Sequence, residues 1–186
     1  MKKILVLPII LIITLMLFSC SNNHYDIVTT LFPQYDITRT IVGDKDLTYT
    51  LLLSPGVEAH DFEPTSKQVV QINQSKLFIY TSDDMEVWAS NVKNKNSDSV
   101  FLNLKIAFEK DHVTAHNFNT ESESHDHDHD NLHYWVNLHH TIHMINAIKE
   151  QIILLDQANE AYYESNALAM IDQVKTISLL FNTFES

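Results

Sequence analysis

The chain has 186 residues, is 45% hydrophobic and carries a formal charge of −12 at pH 7 with histidine neutral. This acidic balance argues against nucleic acid or an anionic lipid surface as a partner, because both repel negative charge. The single cysteine excludes an intrachain disulfide and a thiolate zinc cluster. Any metal must therefore be held by imidazole and carboxylate groups, and the chain has eleven histidines to supply the imidazoles.

The amino terminus has the pattern of an export signal. Lys2 and Lys3 precede an apolar run at 4–18. The run is shorter than the ~20 residues that a membrane span needs, but it suits the apolar core of a secretory signal peptide. We therefore predict a signal peptide at 1–19 and an exported protein.

The leader ends in a lipidation signal. Residues 17–20 read Leu-Phe-Ser-Cys, which resembles the bacterial lipoprotein cleavage box, in which the cysteine is lipidated. We predict a lipid anchor on Cys20 with a short linker at 20–24. The protein would then be a membrane-anchored lipoprotein on the cell envelope or the periplasmic side. Losing the two leader lysines takes the formal charge from −12 to −14.

Short β-rich runs alternate with helical runs between residues 26 and 104. Strands are predicted at 26–30, 47–53, 77–80 and 100–104, and helices at 34–42, 64–74 with Thr65 as a cap, and 84–94. Strands that alternate with helices imply βαβ units. The predicted fold class is therefore α/β, with a four-stranded, mainly parallel sheet flanked by helices. Helical spacing resumes at Leu138, and we expect the metal-binding α/β domain to cover 25–155.

The last segment, 156–186, is predicted as one long helix with an apolar seam. The seam recurs in steps of four and three at Tyr163, Ala167, Met170, Val174, Ile177, Phe181 and Phe184. With Asp156 as its cap, this helix would span ~40 Å. One interpretation is an amphipathic helix packed on the domain. The other, which the length favours, is a strut to a second domain, with the seam exposed around Met170, Val174, Ile177 and Phe181.

Two histidines far apart in the sequence fall where parallel sheets bind ligands. His60 lies in the loop SPGVEAHDFEP after the second predicted strand, and His133 lies in NLHYWVN after the fourth. Ligands bind beyond the carboxyl ends of such strands, so both rings could share a zinc ion at about 2.0–2.1 Å. Asp61 and Glu63 would orient the His60 ring. From spacing alone, the favoured interpretation of each histidine taken singly is an ordinary satisfied polar residue.

A second candidate for metal binding is the acidic, histidine-rich loop at 111–130. His125, His127 and His129 alternate with aspartates, so an extended backbone would point the imidazoles one way and the carboxylates the other. One interpretation is a weak metal-collecting loop, which the position beside His133 favours. The other is a solvated, disordered tract with no native ligand.

His139 and His143 stand one helical turn apart and are also able to chelate an ion. They border the apolar stripe of their helix, and this position favours a polar flank instead. His112 and His116 carry little signal.

Three segments together resemble a known family. In order they are LLLSPGVEAHDFEPTSKQVVQI, NLHYWVN and LLDQANEAYYESN. They are similar to segments of the zinc- and manganese-binding solute-binding lipoproteins of bacterial ABC metal importers. The first resembles Pro-Gly-x-x-x-His-Asp-aromatic-Glu-Pro-Thr, the second Asp-Pro-His-x-Trp-Leu-Asp-Pro, and the third the start of the long interdomain helix. By this resemblance His60 and His133 match two family metal ligands.

The resemblance has departures as well. Asn131, Leu132, Asn137 and Leu138 replace the two Asp-Pro pairs, and Gln157 stands where a proline usually begins the connecting helix. The family's carboxy-terminal α/β domain, which supplies a third histidine and an acidic fourth ligand, is expected to be absent. The chain therefore looks like the amino-terminal half of a metal-binding protein.

The resemblance implies a non-enzymatic protein that captures Zn²⁺ outside the cytoplasm for the membrane permease of an ABC importer. The histidine-rich loop is typical of the zinc-specific members, which favours zinc over the alternative, Mn²⁺. A missing or separate carboxy-terminal domain is a further expected partner. A decayed, non-functional remnant, a manganese-binding homologue and a surface adhesion lipoprotein stay open as alternatives. An envelope zinc hydrolase has less support, because the sequence contains no His-Glu-x-x-His motif.

Overall fold

The computed structural model describes residues 24–108 and 137–184, with side chains up to Leu180. The signal peptide, Cys20, the histidine-rich loop and His133 lie outside these residues, so what was predicted for them stays a prediction. The described elements are β1 Ile27–Thr29, α1 Phe32–Val42, β2 Tyr49–Leu51, α2 Ser66–Gln74, β3 Leu77–Tyr80, α3 Ala89–Val92, β4 Val100–Asn103, α4 Leu138–Leu155 and α5 Glu160–Phe184.

The four described strands form one sheet in the order β2-β1-β3-β4. Every pairing in it is parallel, with Ile27 opposite both Tyr49 and Leu77. The predicted α/β class is confirmed, and the sheet is wholly parallel where it was predicted to be mainly so. The carboxyl ends of all four strands therefore lie along one edge of the sheet, which we call the carboxyl edge.

Neighbouring residues of β1 and β3 point into two separate hydrophobic clusters, because side chains alternate between the faces of a strand. Ile27 and Ile79 belong to the larger cluster, which α1, α4 and α5 cover. Val28, Phe78 and Tyr80 belong to the smaller cluster, to which α2 and α3 contribute. We call these clusters the large core and the small core.

The last helix begins later than predicted. The backbone N–H of Asp156 ends α4 by donating to the carbonyls of Ile152 and Ile153, and a 3-10 turn at Gln157–Asn159 follows. The Asp156 side chain makes no cap; it accepts hydrogen bonds from the Tyr163 hydroxyl at 2.6 Å and the Asn159 amide at 2.7 Å. The 25 residues of α5 therefore extend about 37 Å at 1.5 Å per residue.

Much of the predicted exposed seam is buried. Tyr163 and Val174 are 0% and 8% exposed in the large core, together with Ile171, and Met170 packs partly buried against them. The expectation of exposure at Val174 is wrong, because the first half of α5 packs along α1 and α4. Exposure begins further along the helix, where Ile177 is 44% exposed.

Gly43 allows α5 to approach the end of α1 closely. Its φ is +58°, and a Cβ at this position would collide with the Tyr162 hydroxyl. The Asn166 amide donates to the Ile41 carbonyl at 3.0 Å, and the Lys45 ammonium lies 4.2 Å from the centre of the Tyr162 ring. These contacts fix α5 to the carboxyl end of α1.

The helices in 24–108 and 137–184 do not include one with both the length and the apolar character needed to cross a membrane.

Candidate metal centre

The loop that carries His60 leaves the carboxyl end of β2 and stays tied to the neighbouring strand at first. The Leu52 N–H donates to the Thr29 carbonyl at 2.8 Å, and the Leu53 N–H donates to the Thr30 carbonyl at 3.3 Å. The loop therefore starts at the carboxyl edge, the position predicted for it.

Two local features shape the rest of this loop. At 54–57 the Val57 N–H donates to the Ser54 carbonyl at 3.1 Å, and Gly56 has φ +86°, which suits a type II turn with proline second. The loop ends at Thr65, whose hydroxyl accepts the Gln68 N–H at 3.4 Å. The predicted cap of α2 is thus confirmed.

His60 is exposed, and side chains on both sides of it hold the loop in place. Ala59 is 7% exposed in the small core. The half-buried Phe62 meets Trp88 edge to face, with 5.5 Å between ring centroids. Because Trp88 follows β3, the loop reaches from the edge strand β2 toward the centre of the sheet. His60 is therefore presented to solvent from an anchored turn.

The structure does not test the predicted pair of ligands as a pair. His133 and the loop histidines His125, His127 and His129 lie outside the described residues. Within 24–108 and 137–184, the structure gathers no group of three or more His, Cys, Asp or Glu side chains able to hold an ion. Asp61 and Glu63 are exposed in the same loop as His60, and their orienting role stays a prediction.

A buried polar cluster supports this part of the carboxyl edge. The fully buried Glu86 carboxylate accepts the Thr30 hydroxyl at 2.6 Å and the N–H groups of Thr81 and Ser82 at 3.1 Å. The Gln34 amide donates to the Thr81 hydroxyl at 2.8 Å. Burial raises the pKa of Glu86, and the donors that favour the carboxylate oppose this rise without cancelling it.

This Glu86 cluster reaches the His60 loop through Thr30. The Thr30 hydroxyl donates to Glu86, while its carbonyl accepts the Leu53 N–H at the start of the loop. The sequence prediction missed the cluster because it placed a helix at 84–94, whereas only Ala89–Val92 is helical. A carboxylate between apolar Met85 and Val87, shortly after a strand, was the available signal.

The opposite end of the carboxyl edge is closed by a second polar group. The Tyr80 hydroxyl donates to Asp83 at 3.1 Å, and the Asn103 amide donates to Tyr80 at 3.3 Å and to Asp83 at 3.2 Å. Burial raises the pKa of Tyr80 to about 12. The Ile106 N–H donates to the Asn103 side chain at 3.1 Å, which directs the chain into a helical segment at 104–108.

Residues 27–181 match the family model described as "Zinc-uptake complex component A periplasmic". The chain belongs to this family. The family resemblance seen in the sequence is therefore confirmed, and the parallel sheet with a long final helix is the fold of its solved neighbours.

Curated relatives of the zinc-uptake family are similar over most of this chain. It is 31% identical over 166 residues to the high-affinity zinc uptake system protein ZnuA of Bacillus subtilis, covering 87% of this chain and 52% of the relative. It is 28% identical over 189 residues to the zinc-binding lipoprotein AdcA of Streptococcus pneumoniae, covering 95% and 37%.

The solved structure of the metal-dependent lipoprotein YcdH from Bacillus subtilis is also similar. It superimposes with a TM-score of 0.69 at 28% identity, covering 86% of this chain and 55% of that one. The chain thus spans from 37% to 55% of the length of these three relatives.

Proposed function

We propose that this protein captures Zn²⁺ outside the cytoplasm and delivers it to the membrane permease of an ABC importer. The observation that carries the proposal is the presentation of His60. Its ring is exposed at the carboxyl edge, on a loop held by Ala59 and by the packing of Phe62 on Trp88. A metal-binding side chain on an anchored loop loses less conformational entropy when it binds an ion than one on a mobile loop does. Delivery needs only reversible ligation, so the proposal contains no catalytic step.

His133 is the proposed second ligand. It lies four residues before Asn137, whose side chain caps α4 by accepting the His139 N–H at 2.9 Å. Four residues of extended chain reach at most about 14 Å, which is the largest distance that the sequence allows between His133 and Asn137. The segment that contains His133 follows Phe108 in the chain, and the Phe108 ring lies 5.2 Å from the His143 ring on α4.

Zinc is the proposed cargo because of the ligand chemistry. Imidazole nitrogens suit zinc, whereas Mn²⁺ prefers carboxylate, carbonyl and water oxygens. The relatives named above include a high-affinity zinc uptake protein and a zinc-binding lipoprotein. His60 and His133 fill only two of the three or four protein positions that a zinc site normally uses. Further ligands must therefore come from elsewhere.

We assign those ligands to a carboxy-terminal domain, on the same or a separate chain, that covers the outer side of α5. Ile177, Leu179 and Leu180 are 44%, 66% and 55% exposed on that helix, which is an apolar surface suited to a partner. The chain spans 52% of the length of its Bacillus relative.

Two further parts of the proposal lie outside the described residues. A lipid on Cys20 would hold the protein at the membrane beside its permease, and the Streptococcus pneumoniae relative is named a lipoprotein. The histidines at 125, 127 and 129 would collect zinc weakly and raise its local concentration near His133.

The test is a zinc titration in competition with a chelator, on the full mature chain with serine at positions 125, 127 and 129. His60→Ala and His133→Ala should each lower the zinc affinity of the tightest site by at least about tenfold. Removing only a residue that hydrogen-bonds to a metal ligand already lowers affinity by that much. His24→Ala, an exposed histidine before β1, is the matched control and should change nothing. If neither His60 nor His133 affects the tightest site, the proposal is wrong.

A further inference from the structure

The first two turns of α4 carry a pair of histidines whose Nε2 atoms lie close together. The Nε2 atoms of His139 and His143 are 3.3 Å apart, and the two rings meet at 77° with 4.7 Å between centroids. The spacing i, i+4 places both side chains on one side of the helix. Sequence spacing alone had favoured a polar flank at these positions.

The measured separation matches one coordination geometry in particular. Two nitrogens at 2.0–2.1 Å from a tetrahedral zinc ion are about 3.3–3.4 Å apart. Neighbouring nitrogens of a square-planar site, at the same bond length, would be only about 2.8–3.0 Å apart. The separation of the two nitrogens is therefore that of a tetrahedral site with the backbone and the helix spacing as they are.

The pair stands on a rigid support. His139 follows the cap Asn137, and Met144 and Ile145, which follow His143, are buried in the large core. Phe108, from the helical segment at 104–108, packs edge to face on His143 at 5.2 Å. A ligand whose ring is held by packing loses less freedom when it binds an ion.

We propose that His139 and His143 form a second zinc site, with water in the remaining coordination positions. In the metal-free protein the two Nε2 atoms share one hydrogen between them. Zinc would bind both Nε2 atoms from beside the line that joins them. The ring that loses its Nε2 hydrogen then carries that proton on Nδ1, so two neutral imidazoles bind the ion without net proton release. The acidic chain, with a formal charge of −12, favours a cation overall. The positive end of the helix dipole opposes it, so this site is the weaker of the two.

The second site does not depend on the His60–His133 site. The experiment therefore starts from the full mature chain with asparagine at positions 60, 125, 127, 129 and 133, which removes the ligands of the proposed function. In calorimetry this background protein should still bind about one Zn²⁺ at neutral pH, because His139 and His143 on α4 are unchanged. The bound ion should also raise the unfolding temperature of the background protein.

Three variants of the background protein identify the ligands. His139→Ala and His143→Ala should each remove the remaining zinc equivalent and the rise in unfolding temperature. His140→Ala is the matched control on the same turn, because its ring packs on Phe108 at 4.4 Å and is not part of the Nε2–Nε2 pair. It should keep the zinc equivalent, and circular dichroism should show that all three variants are folded.

Cobalt(II) provides a readout of geometry. The background protein with Co²⁺ should show the intense visible absorption of a tetrahedral ion, and both alanine variants should lose it. The inference is overturned if the background protein binds no zinc, if His140→Ala loses the ion while His139→Ala keeps it, or if the cobalt spectrum is octahedral. None of these results depends on whether His60 binds metal.

Discussion

The two faces of the sheet are built in different ways. The face of the large core is covered by helices of 11, 18 and 25 residues and is filled with aliphatic side chains. The face of the small core has helices of nine and four residues, aromatic contacts around Trp88 and the loop that carries His60. The face of the large core therefore contributes most of the packing, and the face of the small core is packed less extensively and carries His60 at the carboxyl edge.

The division predicts that damage to the large core costs stability first. Tyr163 is fully buried there, and its hydroxyl donates to Asp156. Tyr163→Ala should lower the free energy of unfolding by about 3–5 kcal/mol, the usual range for removing a buried aromatic ring. Urea unfolding measures the change. Leu168→Ala, which is 58% exposed on the same helix, is the control and should have little effect.

In a Tyr163→Ala protein that is still folded, zinc affinity should be close to that of the parent. A large loss of affinity with little loss of stability would contradict the division between the two faces.

The Glu86 cluster should make stability depend on pH in an unusual direction. Burial raises the pKa of Glu86 above its ordinary value of 4.5. The folded state therefore holds this proton more tightly than the unfolded state does. The contribution of Glu86 to stability is full below pH 4.5 and is lost as the pH rises through the raised pKa. Most carboxylates in contact with cations do the opposite.

Glu86→Gln isolates this effect. An amide nitrogen in place of Oε2 cannot accept the Ser82 N–H, whereas the protonated carboxyl keeps an acceptor oxygen there. The variant should therefore lose about 1–3 kcal/mol of stability at acidic pH. The deficit should shrink as the pH rises, because only the parent loses stability there. Urea unfolding from pH 4 to pH 7 measures both, with the exposed Glu164→Gln as the matched carboxyl-to-amide control. A deficit that is constant or grows with pH would be inconsistent with the raised pKa.

The smallest expected change in stability belongs to the loop. Phe62→Ala removes the ring contact with Trp88, which is worth about 0.5–1.5 kcal/mol beyond the area buried. The loss of zinc affinity should be proportionally larger than the loss of stability, because His60 loses one of its two anchors. A chelator competition on Phe62→Ala and on Val57→Ala, an exposed residue of the same loop, compares the two. Equal zinc affinities in these variants would show that the loop needs no anchor.

Much of the fold was predictable because its signals are local. The strands at 77–80 and near 100–103 follow from short β-branched and aromatic runs between polar turns. The Thr65 cap and the Pro55-Gly56 turn each depend on a few neighbouring residues, and the structure has both. His60 was placed correctly beyond the second strand, because the order of elements decides which end of a parallel sheet a loop leaves.

Other features were missed because they depend on distant partners. The helix predicted at 84–94 is mostly replaced by the turn in which Glu86 reaches back to Thr30, 56 residues earlier. Asp156 was predicted to cap α5, but its side chain accepts the Tyr163 hydroxyl. The apolar periodicity of the last helix does not show which other elements pack against it.

The sequence by itself therefore determined the α/β class and the position of His60, which follow from local periodicity and turn residues. It also determined the family, through the resemblance of three segments. Only the tertiary structure decided which half of α5 is buried, how the loop is anchored on Trp88, and that the His139 and His143 nitrogens lie 3.3 Å apart. Packing selects among side-chain arrangements that the sequence leaves equally possible, because each depends on atoms brought from far along the chain.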